Sequence, residues 1–293
     1  WKPDDLVFVD ADDTDGNWAV YKKQDAWSAT GELTRTANVN LATFGSSVTI
    51  SSDQSVALVG APADGTGKVI TYTNINGTFV QDASALTSNV AGAAGFGATV
   101  VTNTANLVIV GDPTATSSAG AVTVYTRTGN SYTRTQNIAG SASDQFGYSL
   151  ATSDDGSWLY VGAPGNNKVY AYYRNGSTYS AHTGNVSVTG SDSASGDLFG
   201  YSVACSTDGR QLIVGAPNHD TGSVSNSGAV YIFDKTTEKR LPVGMICPSC
   251  GSREAHKVKN NTFCYDCGTY SKTKVASNKT NPTKLDVTIT WID

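Results

Sequence analysis

FGYSVACSTDGRQLIVGAP, residues 199–217, decides the fold, because the chain contains three further versions of this stretch. The other copies begin at Phe44, Phe96 and Phe146, and each runs from Phe-Gly to Gly-Ala-Pro or Gly-Asp-Pro. Successive copies begin 52, 50 and 53 residues apart. A regular period of about fifty residues indicates an array of similar structural units.

Each copy opens a unit that predicts four short antiparallel strands. In the first unit, apolar runs at 44–50, 55–62, 68–73 and 78–81 are separated by turn sequences such as SSDQ and NING. Short β-rich runs bounded by turn residues are typical of consecutive antiparallel strands. No window shows a sustained helical spacing of apolar residues. We therefore predict an all-β fold, a β-propeller of four-stranded antiparallel blades.

The repeated motif has a physical role in such a blade. Each Phe is expected to fill the space between neighbouring blades, and the Gly beside it allows close backbone approach at the turn into the innermost strand. The Gly of Gly-Ala-Pro allows tight packing, and the Pro ends the strand pairing because it has no N–H to donate.

These motifs resemble FG-GAP repeats, the blades of the integrin α-subunit head and of related propellers. The resemblance covers roughly residues 1–240 and implies a propeller that binds ligands on one face. Several integrin hairpins carry Asp-rich calcium loops, but the corresponding hairpins here read SSDQS, TNTAN, SDDGS and STDGR. These sequences offer too few carboxylates for the six or more oxygen ligands of Ca²⁺, so we do not expect calcium there.

The two ends of the chain suggest how a ring could close. LVFVDA (6–11) aligns with LIVGAP (212–217), so the chain enters its first blade at the second strand. KLDVTITWID (284–293) alternates apolar and polar residues, which predicts a strand that completes this blade and gives five blades. The alternative is a ring of six or seven blades of which this chain is a part. The acidic loop DADDTDG (10–16), which spans Asp10 to Asp15, is either a solvated turn or a weak cation site.

A segment near the C-terminus breaks the repeat and predicts a metal site. Two Cys-x-x-Cys pairs, each followed by Gly, are formed by Cys247 with Cys250 and Cys264 with Cys267. This spacing is a strong zinc signature and resembles a zinc ribbon. Four thiolates leave no open coordination position, so the Zn²⁺ would be structural; the alternative is two disulfides in a secreted domain.

These observations divide the chain into a propeller at 1–240, a zinc ribbon at 241–275, and a linker with the closing strand at 276–293. The fifth cysteine, Cys205, lies in an apolar strand and is interpreted as a small hydrophobic residue.

The composition excludes several functional classes. A formal net charge of −5 argues against a nucleic-acid surface, and no apolar run is long enough to cross a bilayer. None of the three histidines lies in a sequence motif with a nucleophile or a pair of carboxylates, so we predict that the protein is not an enzyme. The remaining candidates are His219 and Asp220 in PNHDTGSVSNSG (217–228), which either contact a ligand or belong to a mobile polar loop. The blade connection 189–198 should border the same face.

We therefore expect a non-catalytic binding or structural module with a protein or glycan partner on one propeller face and neighbouring domains of a larger polypeptide or assembly. The sequence is rich in Ser, Thr, Asn and Gly and in this respect resembles phage fibre and tail proteins. That composition favours a role in adhesion or assembly, in a virion or at a cell surface. The four cysteine thiols that would hold zinc fit a protein that folds in a reducing compartment. A carbohydrate-binding propeller and a hydrolase on a propeller scaffold are the alternatives.

Overall fold

A computed structural model describes residues 6–10, 18–23, 27–33, 43–103, 106–181, 187–235, 255–258, 261–264 and 270–271. These residues form antiparallel sheets, which confirms the all-β prediction. The helical segments among them are the four-residue turn α1 (Ala115–Ser118) and a single 3-10 turn (Pro164–Asn166).

The chain begins with a three-stranded sheet, here called the leading sheet, whose strands pair in the order β1-β2-β3. Its register pairs Asp10 with Trp18 and Trp18 with Leu33. The strands are β1 (Leu6–Asp10), β2 (Trp18–Lys23) and β3 (Trp27–Leu33).

Repeats 1 to 3, which begin at Phe44, Phe96 and Phe146, each form a sheet of four strands paired in chain order. In repeats 1 and 3 a two-residue strand also pairs with the third strand. Repeat 1 contains β4 (Val48–Ile50), β5 (Val56–Ala61), β6 (Lys68–Ile75), β7 (Thr78–Gln81) and β8 (Leu86–Thr87). Repeat 2 contains β9 (Thr99–Thr102), β10 (Leu107–Asp112), β11 (Ala121–Thr128) and β12 (Ser131–Ala139). Repeat 3 contains β13 (Ser149–Thr152), β14 (Trp158–Ala163), β15 (Lys168–Asn175), β16 (Thr178–Ala181) and β17 (Ser187–Val188).

Repeat 4, which begins at Phe199, has three strands among its described residues, paired in the order β18-β19-β20. A further three-stranded sheet begins between the two predicted zinc knuckles and ends after the second one. Repeat 4 contains β18 (Ser202–Cys205), β19 (Gln211–Ala216) and β20 (Ala229–Asp234). The last sheet contains β21 (Ala255–Val258), β22 (Asn261–Cys264) and β23 (Tyr270–Ser271).

The first strand of each repeat starts later than its apolar run predicts. In repeat 1 the run begins at Phe44, but β4 begins at Val48. Gly45 has φ +94° and donates its N–H to the Gly60 carbonyl, so the Phe-Gly pair forms the turn into the strand and not the strand itself. The same left-handed glycine follows Phe96, Phe146 and Phe199.

The hydrophobic core lies between consecutive sheets, as predicted for the repeated phenylalanines. Phe96, Phe146 and Phe199 are at most 1% exposed. Each belongs to a cluster shared with the preceding repeat; Phe146, for example, packs with Leu107 and Val122. The leading sheet adjoins repeat 1 in the same way, because Leu33 belongs to the cluster of repeat 1 that also contains the half-buried Phe44.

The two ends of the repeated motif meet at the interface between consecutive repeats, here called a seam. Hydroxyl groups of Ser47, Thr99 and Ser149 donate to the Phe-Gly glycine carbonyl of the next repeat, at 2.8, 2.7 and 2.8 Å. The same carbonyls closely approach the glycines of the Gly-Ala-Pro or Gly-Asp-Pro motifs in the preceding repeats. A Cβ at Gly60, Gly111 or Gly162 would stand 2.0–2.2 Å from the carbonyl oxygen. The motif therefore repeats because each copy supplies both halves of a seam.

The innermost strands β4, β9, β13 and β18 are adjacent in sequence order. The described residues thus form a propeller-like array of antiparallel sheets. The predicted closing strand at 284–293 lies outside the described residues, and the prediction of five blades is not tested by them.

Candidate functional site

The candidate site is built around buried aspartates that stand two residues before Phe-Gly. Asp144 and Asp197 are 1% and 5% exposed. Each closes the turn ahead of its Phe, because Asp144 Oδ2 accepts the Ser141 N–H and Asp197 Oδ2 accepts the Ala194 N–H, both at 2.8 Å. A carboxylate that accepts backbone N–H groups satisfies donors that burial would otherwise leave unpaired.

The same carboxylates bind the loop between the second and third strands of a neighbouring repeat. In repeat 3 the side-chain amide of Asn166 donates to Asp144, and the Tyr170 hydroxyl donates to Asp144 Oδ2 at 3.0 Å. In repeat 4 the imidazole Nδ1 of His219 lies 2.8 Å from Asp197 Oδ2. We call this arrangement the aspartate latch. Asn166 and His219 are equivalent, since each stands two residues after the Pro of Gly-Ala-Pro.

In repeat 2 a carboxylate also binds the turn before Phe-Gly, but it comes from the end of the second strand of that repeat. This repeat has Ala94 where repeats 3 and 4 have the latch aspartate, and its Gly-Asp-Pro motif supplies Asp112. Asp112 Oδ1 accepts the Gly95 N–H at 3.1 Å and the Thr114 hydroxyl at 3.0 Å. The departure from Gly-Ala-Pro therefore supplies a carboxylate to the same turn.

Two carboxylates surround the imidazole ring of His219. Its Nε2 lies 3.6 Å from Asp192 Oδ2, and the Tyr231 hydroxyl donates to Asp192 Oδ1 at 2.7 Å. The hydrogen bond to Asp197 raises the pKa of His219, against the opposing effect of burial. The same hydrogen bond lowers the pKa of Asp197. Burial, together with Asp192, raises the pKa of Tyr231 to about 12.

The loop 217–228 contains several internal hydrogen bonds. Asp220 Oδ1 accepts the Asn226 N–H at 2.7 Å, and Thr221 and Val224 exchange two backbone hydrogen bonds of 3.0 Å. Ser227 donates to the His219 carbonyl at 3.2 Å. Val224 at the tip is 59% exposed. Both predicted residues, His219 and Asp220, thus take part in the hydrogen bonds of this loop.

The hairpins between the first and second strands also contain carboxylates that accept hydrogen bonds from their own hairpin. Asp53, Asp155 and Asp208 each accept a hydrogen bond of 2.6 Å from the serine two residues earlier. Each also accepts the backbone N–H two residues later. These are the hairpins that carry calcium loops in integrins. Within the described part of the chain, no group of three or more His, Cys, Asp or Glu side chains could hold a metal ion.

An aromatic pair that the sequence reasoning missed lies immediately before the innermost strands β13 and β18. Tyr148 and Tyr201 each stand two residues after the Phe of their repeats, and their ring centroids are 4.8 Å apart with a 45° tilt. Tyr201 is 44% exposed. Burial and the Tyr201 hydroxyl raise the pKa of Tyr148 to about 12. The signal in the sequence is that both residues occupy the same position of adjacent repeats.

Other predicted sites fall wholly or partly outside the described residues. Cys247, Cys250 and Cys267 lie there, and Cys264 is the last residue of β22 without a described side chain. Most of the acidic loop 10–16 also lies there. Cys205 is a free, half-buried thiol packed against the core between repeats 3 and 4, and burial raises its pKa to about 11.

Comparison with known proteins supports the repeat architecture. The family profile described as FG-GAP repeat matches residues 183–233, which contain the Phe-Gly and Gly-Ala-Pro motifs of repeat 4. A search of curated protein sequences found no match. No helix among the described residues is long and apolar enough to span a membrane.

Solved structures share the fold at low sequence identity. A protein of unknown function from Desulfotomaculum acetoxidans DSM 771 has a TM-score of 0.54 and 13% identity over 80% of this chain, which spans 63% of that protein. A "putative 6-phosphogluconolactonase" from Bacteroides uniformis ATCC 8492 has a TM-score of 0.56 and 14% identity, with 95% and 85% of the two chains covered. A protein of the same printed name from Bacteroides fragilis NCTC 9343 has a TM-score of 0.55 and 12% identity, with 92% and 82% covered. At these identities the similarity concerns the fold alone.

Proposed function

We propose that this chain is a non-catalytic binding module of a larger virion or cell-surface protein and that it contacts its partner through the loop 217–228. The observation that carries the proposal is the construction of this loop. The latch fixes its base through His219, Asp220 closes it, and an apolar side chain, Val224, stands at its tip. A loop that is already ordered loses little conformational entropy when it binds.

The use of the charged groups supports a binding role over catalysis. The carboxylates of Asp144, Asp197 and Asp112 are hydrogen-bonded to turns of the fold. His219 is 9% exposed as a residue, and its ring faces two carboxylates. A general base needs an accessible lone pair within reach of a substrate proton. On this proposal the polar groups of the site serve to position a surface, and the partner is a protein.

Flow cytometry with the fluorescently labelled chain tests this function. The labelled protein is incubated with panels of bacterial and eukaryotic cells, and binding is measured as a function of concentration. We expect saturable binding to some cells, lowered at least tenfold by Val224→Asp. Val80→Asp is the matched control, since Val80 is 47% exposed on β7, away from the loop. Binding that both variants retain would contradict the assignment of the loop, and a folded chain that binds no cell would contradict the adhesion role.

A glycan-binding role is a second candidate, favoured by the pair of Tyr148 and Tyr201. Exposed aromatic rings present an apolar face with a polar hydroxyl, which suits the mixed surface of a sugar. On this hypothesis the residues just before the innermost strands, and not the loop, form the site. A glycan array should then show binding that free sugar competes away, that Tyr201→Ala abolishes and that Tyr201→Phe retains.

The names of the two Bacteroides neighbours motivate a third test. Hydrolysis of 6-phosphogluconolactone by the purified chain, at a rate above the uncatalysed background, would replace the binding proposal by the hydrolase alternative. We expect no such acceleration.

We also propose that Cys247, Cys250, Cys264 and Cys267 hold one structural Zn²⁺. The support is the spacing of the cysteines together with the strands β21 to β23 between and after the two pairs. On this proposal the ribbon acts as a clamp or spacer toward neighbouring domains and does not bind nucleic acid.

A further inference from the structure

The rings of Tyr148 and Tyr201 touch across the seam between repeats 3 and 4. Their centroids lie 4.8 Å apart, near the lower end of the range of about 4.5–7 Å that paired aromatic rings adopt. Burial and a hydrogen bond with the Tyr201 hydroxyl raise the pKa of Tyr148 to about 12. The hydroxyl ends of the two rings therefore lie together, and with them the ring carbons ortho to each hydroxyl.

The backbone holds both tyrosines in place. The N–H of Tyr148 and the N–H of Tyr201 each donate to the carbonyl three residues earlier, at 3.1 and 3.0 Å. The two turns are joined across the seam, because the Ser149 hydroxyl donates to the Gly200 carbonyl at 2.8 Å. The rings are thus neighbours in the folded chain and do not have to meet by diffusion.

The pair belongs to one seam, and one of its rings can be reached from solution. The equivalent residues of repeats 1 and 2 are Ser46 and Ala98, so tyrosines occupy this position in successive repeats only in repeats 3 and 4. Tyr201 is 44% exposed. Several other tyrosines are at most 8% exposed and are shielded by the core: Tyr72, Tyr125, Tyr160, Tyr172 and Tyr179.

We propose that Tyr148 and Tyr201 are a site of oxidative modification, at which a haem peroxidase with hydrogen peroxide joins the two rings as dityrosine. The peroxidase removes one electron and the phenolic proton from each tyrosine, which leaves two phenoxyl radicals. A carbon–carbon bond then forms between the two ortho positions, and the hydrogen on each of these carbons moves to the oxygen of its ring. The two electrons and two protons reduce the peroxide to water, so the reaction needs no other reactant.

The product links repeats 3 and 4 covalently. It closes the chain between residues 148 and 201 in a loop of 53 residues. Such a cross-link restricts the unfolded chain, as a disulfide does, and thereby stabilises the folded array. Because it is a carbon–carbon bond, reducing agents do not break it.

Peptide mapping of the oxidised full chain tests the proposal. The chain is treated at low concentration with peroxidase and limiting hydrogen peroxide, and the monomer is isolated and digested. We expect dityrosine fluorescence and one cross-linked peptide pair, lighter by two hydrogen atoms, that fragmentation locates at Tyr148 and Tyr201. A monomer without dityrosine, links between chains only, or intramolecular links between other tyrosines would overturn the proposal.

Conservative variants identify the reacting rings. Tyr148→Phe and Tyr201→Phe keep the ring but remove the phenolic O–H that is oxidised, so each should lower the yield of intramolecular dityrosine at least tenfold. Tyr132→Phe is the matched control, since Tyr132 is a half-buried tyrosine between repeats 1 and 2, and it should leave the yield unchanged. Equal yields from the three variants would overturn the assignment.

Thermal unfolding of the cross-linked monomer tests the consequence for stability. The cross-linked monomer should have a higher Tm than the untreated chain, and an unchanged or lower Tm would overturn the stabilising role. The proposed partner contact uses the loop 217–228 and not these rings, so the cell-binding test and this one can fail separately. The glycan-binding hypothesis does use these rings, but Tyr201→Phe distinguishes the two, since it should remove the cross-link and retain sugar binding.

Discussion

The α-carbon of Gly111 in repeat 2 lies against the carbonyl oxygen of Gly147 in repeat 3, so closely that a Cβ at Gly111 would be 2.2 Å from this oxygen. The relation recurs between Gly60 and Gly97 and between Gly162 and Gly200. It ties the Gly-Ala-Pro end of one repeat to the Phe-Gly start of the next.

Gly111→Ala, made in a Thr99→Ala background because the Thr99 hydroxyl would also lie 2.2 Å from the added carbon, should strongly destabilise the protein. The remaining clashing atom, the Gly147 carbonyl oxygen, belongs to the backbone and can move only if the two repeats separate. Overpacking of this kind typically costs about 1–3 kcal/mol, and we expect the upper end of that range. Gly129→Ala is the control: φ is +59° and nothing lies within 4 Å of the added carbon, so the left-handed backbone alone should cost about 1 kcal/mol. Chemical denaturation measures both, and equal losses would contradict the seam.

Ser149→Ala removes a hydrogen bond between repeats 3 and 4. The Ser149 hydroxyl donates to the Gly200 carbonyl at 2.8 Å, and loss of such a bond typically costs about 1 kcal/mol. Thr99→Val should have a similar effect at the preceding seam. Urea unfolding monitored by Trp fluorescence provides the measurement. If both variants unfold at the midpoint of the unmodified protein, these hydrogen bonds do not stabilise the array.

His219 should make the latch of repeat 4 sensitive to pH. Its folded-state pKa is raised above the ordinary 6.5, so its contribution is complete below that value and is lost as the pH rises through the raised pKa. Asn at the equivalent position of repeat 3 makes the same contact without titrating. The difference in Tm between the unmodified protein and His219→Asn should therefore be larger at pH 5.5 than at pH 8.5.

The control for the latch is Asn166→Ala, which should lower Tm by about the same amount at both pH values. An NMR titration of the His219 ring provides an independent check, because the His219→Asn spectrum identifies its signal among the three histidines. A midpoint at or below 6.5 would contradict the hydrogen bond with Asp197.

Removal of zinc should unfold the ribbon and leave the repeats intact. Elemental analysis should find one Zn²⁺ per chain, and Cys264→Ser should abolish it, since three thiolates bind the metal less tightly and the segment is too small for a core of its own. Hydrogen exchange should then increase in 255–271 and stay unchanged in β5, β10 and β14. Oxidised cysteines without metal would favour the two-disulfide alternative.

The sequence predicted the parts of the fold that depend on local pattern. The period of the Phe-Gly motif located all four repeats, the parsed run 78–81 coincides with β7, and the phenylalanines after the first are buried between sheets as predicted. Both signals can be read without knowing any tertiary contact. Turn residues bound each strand, and a buried aromatic residue recurs about every fifty residues.

Contacts between loops could not be predicted in the same way. The partner of Asp197 is His219, 22 residues away, and their contact depends on how the loop 217–228 folds back over the turn before Phe199. Only the recurrence of Asp-x-Phe-Gly at Asp144 and Asp197 hints at a shared role. The Tyr148–Tyr201 pair is similar, because residues at equivalent positions of adjacent repeats come into contact only when the sheets are stacked. The zinc ligands and the closing strand stay predictions.

A crystal structure of the full chain tests the central claim, that the Phe-Gly and Gly-Ala-Pro motifs join successive sheets around a common axis, more directly than any variant. We expect hydroxyl-to-carbonyl hydrogen bonds from Ser47, Thr99 and Ser149 to the next repeats, each with its Phe buried in the seam. A flat two-layer sandwich, or sheets whose Phe-Gly turns do not touch the preceding Gly-Ala-Pro glycines, would contradict it.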